Sequence, residues 1–423
     1  MKILLILLDY PSCIATVIRW SNIIKYLDDK GYEITILTAP HLPPDYPKLN
    51  LSYSPRVKII DTNLGYFNKN ISAYCQKHQS GRNTKKSEFT NPIYSVAKFF
   101  YRTFIYPFFI PDPAIEWLPT ALKVSRPFVK ACNVIITVSG WPISPQIVGY
   151  RLKKQYHKPW IADMNDPWAF SPINFTPFWR RPFDKMFERK ILREMDKLIL
   201  TTEATRTMYM REYPELKPET TEVITCGFDA ELLKNIQPET ASGFRIVYTG
   251  SFYDDIRNPL NFFKAVQLLK DRPINVLLAG FLSPKHQEII KSLGIAGRVR
   301  CLGSIPYEQV LSLQKGATLL LLIGNLGRLQ IPSKVFEYLG MKKPILVVKN
   351  EAEDLAADIV LKTNSGVAVS NDPDEIAQTI SRLYSLWESG ELRESFSFSE
   401  VNQFSWESLA LQMERVIIEA AKP

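Results

Sequence analysis

A lysine and a glutamate in the last third of the chain have the spacing of a ligand-binding pair. Lys334 and Glu337 lie three residues apart, which puts them on one face of a helix. Pro332 and Ser333 come directly before them, as is typical of a helix start whose free amides favour an anion. A cation for a diphosphate and a carboxylate for vicinal hydroxyls would bind a nucleotide sugar. The alternative is a surface ion pair, which is worth about 0.3–0.5 kcal/mol.

A glycine after a predicted strand offers a second phosphate contact. The strand predicted at 245–249 runs into Gly250 and Ser251, and Arg257 follows six residues after Ser251. A glycine at this place lets backbone amides approach a phosphate, and an arginine pairs with its charge. An ordinary turn and a solvated arginine are the alternative.

Polar residues also follow two strands predicted in the first half. The strand at 160–163 runs into Asn165 and Asp166, and the strand at 134–138 runs into Ser139 and Gly140. Ligands bind at the carboxyl ends of strands in parallel sheets, so these residues are candidates for a shared site. Asp166 precedes a proline, and forming a turn is therefore the alternative role of its carboxylate.

Several familiar sites are absent from the sequence. It contains no G-x-G-x-x-G or P-loop at a strand–helix junction, no H-E-x-x-H helix, no cysteine cluster and no G-x-S-x-G elbow. The four histidines are scattered, and metal sites need several ligands close together. We therefore predict neither a metal nor a cofactor.

The elements that must position these residues form two α/β series. Short apolar runs alternate with amphipathic stretches, which predicts parallel sheets covered on both faces. In the first half, strands are predicted at 2–8, 33–38, 57–61, 134–138, 160–163 and 221–224. After a polar linker at 237–243, they are predicted at 245–249, 275–279, 299–302, 319–323 and 344–348. The predicted fold class is α/β, with two doubly wound domains facing across a ligand cleft.

The net charge of the chain limits which kinds of partner are expected. The 423 residues carry a formal net charge of +9, which favours an anionic partner such as nucleic acid, acidic lipid or a phosphorylated small molecule. No basic stripe or known nucleic-acid module accompanies the charge, so nucleic acid is the weakest of these. The five cysteines have no zinc or redox spacing, which indicates reduced thiols in a cytoplasmic protein.

One segment suggests a membrane surface. Residues 94–110 interleave many aromatic side chains with Lys98 and Arg102, a composition that suits a membrane interface, while packing in the core is an equal alternative. The polar stretch at 75–92 is predicted to be a loop. The N-terminal apolar run stops at Asp9, too early for a signal peptide, and no run approaches the ~20 residues of a membrane span. We predict a cytoplasmic protein that is soluble or peripheral on the membrane.

The sequence resembles the GT-B fold glycosyltransferases, specifically the large retaining family 4 group. The resemblance covers nearly the whole chain and is sharpest at 331–338 with 343–346 and at 162–168, while 223–229 looks like the family's hinge-side strand and turn. It implies two Rossmann-like domains: an acceptor-side domain at 1–235 and a nucleotide-sugar donor domain at 236–402. It also implies that a helix at 403–423 crosses back to the first domain.

The resemblance implies a role for each matching residue. The implied donor site consists of Gly250, Ser251, Arg257, Ser333, Lys334 and Glu337. In it, Arg257 and Lys334 would hold the diphosphate and Glu337 the ribose hydroxyls. The Asn165–Asp166 pair stands where members often carry His-Asp, so Asp166 is the predicted catalytic-side residue and Asp163 a structural one. The predicted acceptor side comprises Ser139, Gly140 and Arg19.

The implied reaction moves a sugar, with retention and without a metal, from a nucleotide diphosphate to a glycan or lipid-linked acceptor. Cell-envelope or surface polysaccharide biosynthesis is the expected setting. Three positions depart from the family pattern: Leu329 replaces the first acid of its E-x7-E motif, residues 11–16 replace its glycine-rich loop, and Arg257 stands where a lysine is common. A nucleotide-sugar epimerase of the same fold and a degenerate binding subunit are the alternative functions.

Overall fold

The structure is a computed structural model that describes residues 1–42, 46–63, 108–171, 177–240, 242–252, 257–327 and 329–422. The predicted loop at 75–92 and most of the aromatic segment 94–110 lie outside these residues. The chain divides into two compact units, one formed by residues 1–225 with 409–423 and the other by residues 226–408. Each unit is built around its own parallel sheet.

The first unit contains a seven-stranded sheet in the order β3-β2-β1-β4-β5-β6-β7. Every neighbouring pair in this sheet is parallel. The strands are β1 (Lys2–Leu7), β2 (Glu33–Thr38), β3 (Val57–Asp61), β4 (Val134–Ser139), β5 (Trp160–Met164), β6 (Lys197–Leu200) and β7 (Thr221–Val223). Its helices are α1 (Ala15–Asp29), α2 (Leu118–Ala131), α3 (Ser144–Tyr156), α4 (Arg181–Leu192) and α5 (Glu203–Glu212). Short 3-10 turns span Pro113–Trp117, Phe178–Arg180 and Pro218–Thr220.

The second unit contains a six-stranded sheet in the order β10-β9-β8-β11-β12-β13, again with every pair parallel. The strands are β8 (Phe244–Thr249), β9 (Ile274–Ala279), β10 (Val299–Gly303), β11 (Leu319–Ile323), β12 (Ile345–Lys349) and β13 (Gly366–Ser370). The helices are α6 (Ala230–Asn235), α7 (Leu260–Leu268), α8 (Pro284–Ser292), α9 (Tyr307–Lys315), α10 (Lys334–Met341), α11 (Leu355–Lys362) and α12 (Pro373–Glu388). A 3-10 turn at Val401–Phe404 precedes the last helix, α13 (Trp406–Ala420).

The central strands are buried on both faces, which explains their unbroken apolar sequences. In β1, Leu4, Leu5 and Ile6 have no exposed surface, and every residue of β11 is buried. A strand with helices over both of its faces must be apolar at consecutive positions, because neither face meets water. The predicted fold class, α/β with two doubly wound domains, is therefore confirmed.

The terminal helix returns to the first unit, as expected. Its residues from 409 onward belong to that unit. Glu414 accepts hydrogen bonds from the hydroxyls of Tyr26, at 3.0 Å, and Tyr32, at 2.8 Å, and Glu419 pairs with Lys197 at 2.9 Å. These contacts fix α13 to α1, to the turn before β2 and to β6. Since they involve polar side chains from distant segments, the apolar pattern of the helix alone could not have indicated them.

Each sheet reverses its strand order next to its first strand. In the first sheet β1 lies between β2 and β4, and in the second β8 lies between β9 and β11. At such a switch point the connections leave to opposite sides, so a crevice opens outside the carboxyl ends of the two central strands. The crevice in the second unit is flanked by the segments after β8 and β11, and the crevice in the first by the segments after β1 and β4.

No helix in the described part of the chain is long and apolar enough to cross a membrane. Among the described residues, Cys13, Cys132 and Cys301 are free thiols.

Candidate active site

The predicted donor residues gather at the switch point of the second sheet. Gly250 follows β8, and Arg257 reaches the segment after β11, where its Nε donates to Asn325 Oδ1 at 2.5 Å. Lys334 is the first residue of α10. The neighbouring strands β8 and β11 thus bring together residues that lie more than eighty positions apart, counted from Gly250 to Lys334.

The Lys334 ammonium lies against Gly250. A Cβ added at Gly250 would lie 1.7 Å from Lys334 Nζ and 2.4 Å from its Cε, so any side chain there would displace the lysine. Gly250 also has φ of +116°, a conformation that other residues rarely adopt. On the opposite side, a Cβ on Gly280 after β9 would lie 2.3 Å from the Gly250 carbonyl oxygen. The two glycines let β8, β9 and the lysine meet without side chains between them.

Two cations share this point. The pKa of Lys334 is lowered to about 7, chiefly by burial and also by the nearby Arg257 guanidinium, while Glu337 acts in the opposite direction. The Lys334 ammonium lies 4.9 Å from the centre of the Tyr248 ring, which itself stacks on Phe252 at 4.2 Å. A half-buried lysine beside an arginine carries positive charge that no neighbouring group fully balances. A bound anion would balance this charge and favour the protonated lysine.

Glu337 lies one turn further along α10 and is held at both oxygens. Gln314 Nε2 donates to its Oε1 at 2.5 Å, and the Tyr307 hydroxyl donates to its Oε2 at 2.8 Å. Burial raises the pKa of Glu337, while these hydrogen bonds and Lys334 oppose the rise. The carboxylate is thereby fixed in one orientation, with lone pairs left on both oxygens for hydroxyl donors.

A buried network beneath the site holds α9 and α10 to the end of β8. Gln314 Nε2 also donates to Thr249 Oγ1 at 2.9 Å, and the backbone amide of Thr249 donates to the Tyr338 hydroxyl at 3.0 Å. Sequence reasoning missed Gln314, Tyr338 and Tyr307. The one signal in the sequence was the position of Gln314 and Tyr307 on the helix before β11. Their hydrogen-bond partners lie on other elements, so the sequence could not show the contacts.

The remaining predicted donor residues, Ser251 and Ser333, are sequence neighbours of Gly250 and Lys334. Ser251 offers its carbonyl to the Tyr248 hydroxyl at 3.1 Å, and Ser333 is the exposed residue before α10, with no side-chain capping bond. The Ser333 hydroxyl is thus not used as a helix cap. Leu329, which replaces the family's first acid, is half-buried in the segment that leads to α10.

In the first unit, Asp166 and Gly140 meet at the switch point of the sheet. A Cβ added at Gly140 would lie 2.9 Å from Asp166 Oδ2 and 3.3 Å from Thr16 Oγ1. Thr16 belongs to the first turn of α1, so the carboxylate, the glycine after β4 and the start of α1 form one group. The structure thus brings together the residues that follow β4 and β5, which are the candidates for a shared site.

Asn165 and Ser139 serve partly to join β4 and β5. The Asn165 amide donates to the Ser139 carbonyl at 2.7 Å, and the Ser139 hydroxyl is buried and accepts from Gln146 Nε2 at 2.9 Å. The Ser139 side chain is therefore occupied within the fold, and its contribution to an acceptor site stays a prediction.

Arg19 does not fit the acceptor role expected for it. Its side chain has no exposed surface and forms an ion pair with Asp163, while its Nη2 donates to the Ile224 carbonyl at 2.9 Å. Trp20 Nε1 also donates to Asp163, at 2.6 Å. Arg19 therefore joins α1 to β5 and to the chain after β7. A buried guanidinium group needs hydrogen-bond acceptors from the protein, because it has no contact with water.

Within the residues that the structure describes, no group of three or more histidine, cysteine, aspartate or glutamate side chains could hold a metal ion.

Replacing Gly250 with alanine is expected to remove nucleotide binding while the protein stays folded. The added methyl group would occupy the position of the Lys334 ammonium. Gly294→Ala is the matched control, because Gly294 also has positive φ, of +68°, but has no atom within 4 Å of an added Cβ. Both variants place a side chain at a positive φ, which costs about 1–3 kcal/mol, and the cost is higher at the φ of +116° of Gly250 than at the +68° of Gly294. We expect the thermal shift with nucleotide to vanish in Gly250→Ala alone, and equal shifts in both would contradict this arrangement.

Comparison with known proteins gives a family match for part of the chain and a fold match for nearly all of it. Residues 243–385 match the model described as Glycosyl transferases group 1, and this range contains every predicted donor residue. The chain has the GT-B fold, and residues 243–385 are similar to the group 1 glycosyltransferases. No curated protein sequence matches the chain.

Solved structures of this GT-B fold align along the whole chain. Sucrose-phosphate synthase from Thermosynechococcus elongatus has a TM-score of 0.67 at 16% identity, with 99% of this chain and 98% of that one covered. HepE from Anabaena, solved with UDP and glucose, has a TM-score of 0.64 at 14% identity, covering 99% and 100%. UDP-GlcNAc 2-epimerase from Neisseria meningitidis, bound to UDP-GlcNAc, has a TM-score of 0.57 at 12% identity, covering 99% and 100%. At these identities the likeness establishes the GT-B fold, while the group 1 match concerns residues 243–385 of the second unit.

Proposed function

We propose that this protein is a nucleotide-sugar-dependent glycosyltransferase of the hexosyltransferase type. It would move a sugar, with retention, from a nucleoside diphosphate to a glycan or lipid-linked acceptor in cell-envelope or surface polysaccharide biosynthesis. The group 1 match over residues 243–385 supports the transferase class. Nucleotide-bound structures with the same fold support a nucleotide-sugar donor.

The observation that carries the proposal is the contact of the Lys334 ammonium with Gly250, beside Arg257 and one helical turn from Glu337. Lys334 lies against a glycine at the carboxyl end of a central strand, and Arg257 is close enough to lower the pKa of that lysine, so a diphosphate there would meet two cations. The oriented Glu337 carboxylate stands next to them for the ribose hydroxyls. Fixed positive groups of this kind stabilise a departing diphosphate without a metal.

In the proposed reaction, the acceptor hydroxyl oxygen bonds to the anomeric carbon as the bond from that carbon to the diphosphate oxygen breaks. Attack from the side of the leaving group gives retention, and the departing diphosphate takes the acceptor proton. Asp166, with Asn165, is assigned the catalytic side from the family resemblance, and Gly140 leaves room beside its carboxylate. Activity at the cytoplasmic membrane face follows from the proposed lipid-linked acceptor.

A UDP-sugar epimerase is the second candidate, because several structures that share the fold are named UDP-GlcNAc 2-epimerases, from Methanocaldococcus jannaschii among others. An epimerase needs no acceptor. Proton NMR of the donor incubated alone distinguishes the two functions: a new sugar isomer or free sugar without acceptor indicates the epimerase, and an unchanged donor favours the transferase. The absence of an acid at Leu329 motivates a third function, a binding subunit without turnover. Such a subunit would bind the donor but would not convert it, either with or without an acceptor.

Thermal shifts with UDP, GDP, dTDP, ADP and CMP test the donor site. We expect one diphosphate to stabilise the wild type, by about 2.7 kcal/mol at 100 times its Kd, and to have no effect on Lys334→Ala or Glu337→Ala. Gly294→Ala, described above, should respond like the wild type. No shift with any nucleotide would refute the donor site, and a shift retained in both variants would place the nucleotide elsewhere.

A further inference from the structure

The segment that follows β11, residues 324–327, is held in place by the segment that follows β12. The Gly324 amide donates to the Val348 carbonyl at 2.9 Å, and the Gly324 carbonyl accepts from Asn350 Nδ2 at 2.7 Å. The Gly327 amide donates to Glu351 Oε1 at 2.9 Å. Both ends of this short segment therefore have fixed backbone partners.

Asn350 is itself fixed by two further asparagines. Its Oδ1 accepts from Asn371 Nδ2 at 2.7 Å, and the Asn371 carbonyl accepts from Asn261 Nδ2, in the first turn of α7, at 2.6 Å. At Gly324 an added Cβ would lie 1.9 Å from Asp354 Oδ2, so any side chain there would displace the carboxylate. The segments after β11, β12 and β13 thus form one hydrogen-bonded network, which makes the segment after β11 rigid.

Asn325 lies in this rigid segment and orients Arg257. Its Oδ1 accepts from Arg257 Nε at 2.5 Å, and both residues are half-buried. Within the described residues this is the one hydrogen bond of the Arg257 guanidinium, so both of its Nη groups keep their donors. Because a guanidinium is planar, a bond at Nε fixes the plane in which the other N–H groups lie.

The asparagine orients the arginine without cancelling its charge. Arg257 forms no ion pair in the part of the chain that the structure describes. Arg245, in contrast, pairs with the carboxylate of Glu239 at 2.8 Å. A carboxylate in the place of Asn325 would also hold Arg257, but it would balance the positive charge that attracts an anion. The amide oxygen of an asparagine is a neutral acceptor.

We propose that Asn325 is a positioning residue of the donor site, which holds the Arg257 guanidinium beside Lys334 and leaves its charge available to a diphosphate. The inference rests on the proposed function in naming the diphosphate. The rigid segment, the bond to Nε and the neutrality of the acceptor support it independently. Spacing could not indicate this contact, since 68 residues separate Asn325 from Arg257 along the chain.

Calorimetry with the full-length protein at about pH 6 tests the proposal, with UDP-glucose as the first probe and GDP-mannose as the second. Asn325→Ala frees the arginine, and ordering it again on binding should weaken affinity by about 3- to 10-fold. Asn325→Asp keeps the hydrogen bond but balances the charge, so affinity should fall at least about tenfold. Asn275→Asp is the matched control and should bind like the wild type, because Asn275 is exposed near the start of β9, roughly 13 Å from the carboxyl end of that strand.

Two results separate positioning from other roles of Asn325. Arg257→Ala/Asn325→Ala should bind as weakly as Arg257→Ala alone, because Asn325 acts through the arginine. Losses that add in the double variant would mean that Asn325 contacts the ligand itself, and they would overturn the proposal. Wild-type affinity in Asn325→Asp would overturn it as well, since an asparagine that merely shapes the segment tolerates an acceptor of the same shape.

Unfolding in urea without ligand gives a readout that does not depend on the proposed function. Lys334 faces Arg257, Glu337 and the Tyr248 ring, and its pKa of about 7 makes the free energy of unfolding rise between about pH 7 and pH 10. In Asn325→Asp the carboxylate would offset the effect of Arg257 and favour the protonated lysine, so part of this rise should be lost. A rise equal to that of the wild type overturns the proposal. If neither probe binds the wild type, the proposed function fails, and this comparison alone decides the role of Asn325.

Discussion

Replacing Lys334 with methionine is expected to abolish donor binding and, at the same time, to stabilise the protein. Methionine has a similar length and keeps the contact with the Tyr248 ring, but it carries no charge. Truncating a charge that contacts a phosphate costs about 2–5 kcal/mol of binding, which corresponds to a loss in kcat/KM of roughly 30-fold to several thousandfold. A substitution that merely damaged the fold would lower activity and stability together.

The stabilisation follows from the depressed pKa of Lys334, about 7 in the folded chain against about 10.4 for a lysine in an unfolded chain. Between these values the unfolded state binds more protons, so the free energy of unfolding rises with pH in this range. The lysine therefore destabilises the folded protein most at pH 7 and below. We expect Lys334→Met to raise the free energy of unfolding by about 2 kcal/mol at pH 7, with the gain disappearing by about pH 10.

Donor binding should depend on pH in the opposite sense. The diphosphate favours the protonated lysine, so affinity is constant below about pH 7 and falls by up to about tenfold per pH unit above it. A nucleotide sugar, whose diphosphate is a diester, is the probe to use in calorimetry because it does not titrate near neutrality. Lys334→Arg is the control, since an arginine stays charged at every pH of the experiment and should bind with a flat profile.

Two results would contradict this account of the site. Normal nucleotide binding by Lys334→Met would remove the lysine from the donor site altogether. A flat wild-type profile between pH 6 and pH 9, matching Lys334→Arg, would show that the lysine is fully protonated and that its pKa is not depressed to about 7.

The local parts of the donor site could be predicted from sequence, and the parts that join distant segments could not. Lys334 and Glu337 were recognisable because their spacing and the preceding Pro332–Ser333 define a helix start. The partners of Glu337, in contrast, are Gln314 and Tyr307 on α9. Their hydrogen bonds depend on how α9 and α10 pack beside β8, and no spacing along the chain contains that information.

The same reasoning explains the outcome for the fold. Unbroken apolar runs such as β1 and β11 could be predicted because double burial leaves no polar positions. The edge strand β13 (Gly366–Ser370) is only partly buried and mixes glycine, alanine and serine, so its run was too weak to predict. Helix α12 begins at Pro373 after a capping aspartate, Asp372, a signal that is present in the sequence but was not used.

Arg19 shows where a residue type alone misleads. An arginine near the start of a helix resembles a surface or ligand-binding group, since arginine is rarely buried. Here Asp163, at the end of β5, accepts from both Arg19 and Trp20. A buried carboxylate without a cation would lower the stability of the fold. The structural role expected for Asp163 therefore required a cation beside it in the core. The sequence contains Arg19, Trp20 and Asp163 but does not show that they meet.

Breaking this buried pair is expected to give the largest loss of stability in the first unit. Arg19→Leu leaves Asp163 buried beside a single remaining donor, and Asp163→Leu leaves the guanidinium with only backbone carbonyls. Removing one partner of a buried ion pair typically lowers the free energy of unfolding by about 3–5 kcal/mol. Six of the eight tryptophans lie in the first unit, so tryptophan fluorescence in urea mainly reports its unfolding.

The double variant Arg19→Leu/Asp163→Leu separates the charge from the packing. If the loss in each single variant comes from an unpaired buried charge, the double variant should lose clearly less than the sum of the two, because no charge remains in the core. Lys2→Leu/Glu33→Leu is the matched control, since that ion pair is more than half exposed and should change stability by less than about 1 kcal/mol. Additive losses in the double variant would instead mean that both side chains act mainly through independent contacts, with Arg19 holding the carbonyls of Ile224 and Thr225. In that case Arg19 would stabilise the protein chiefly by connecting α1 to residues 224 and 225, after β7.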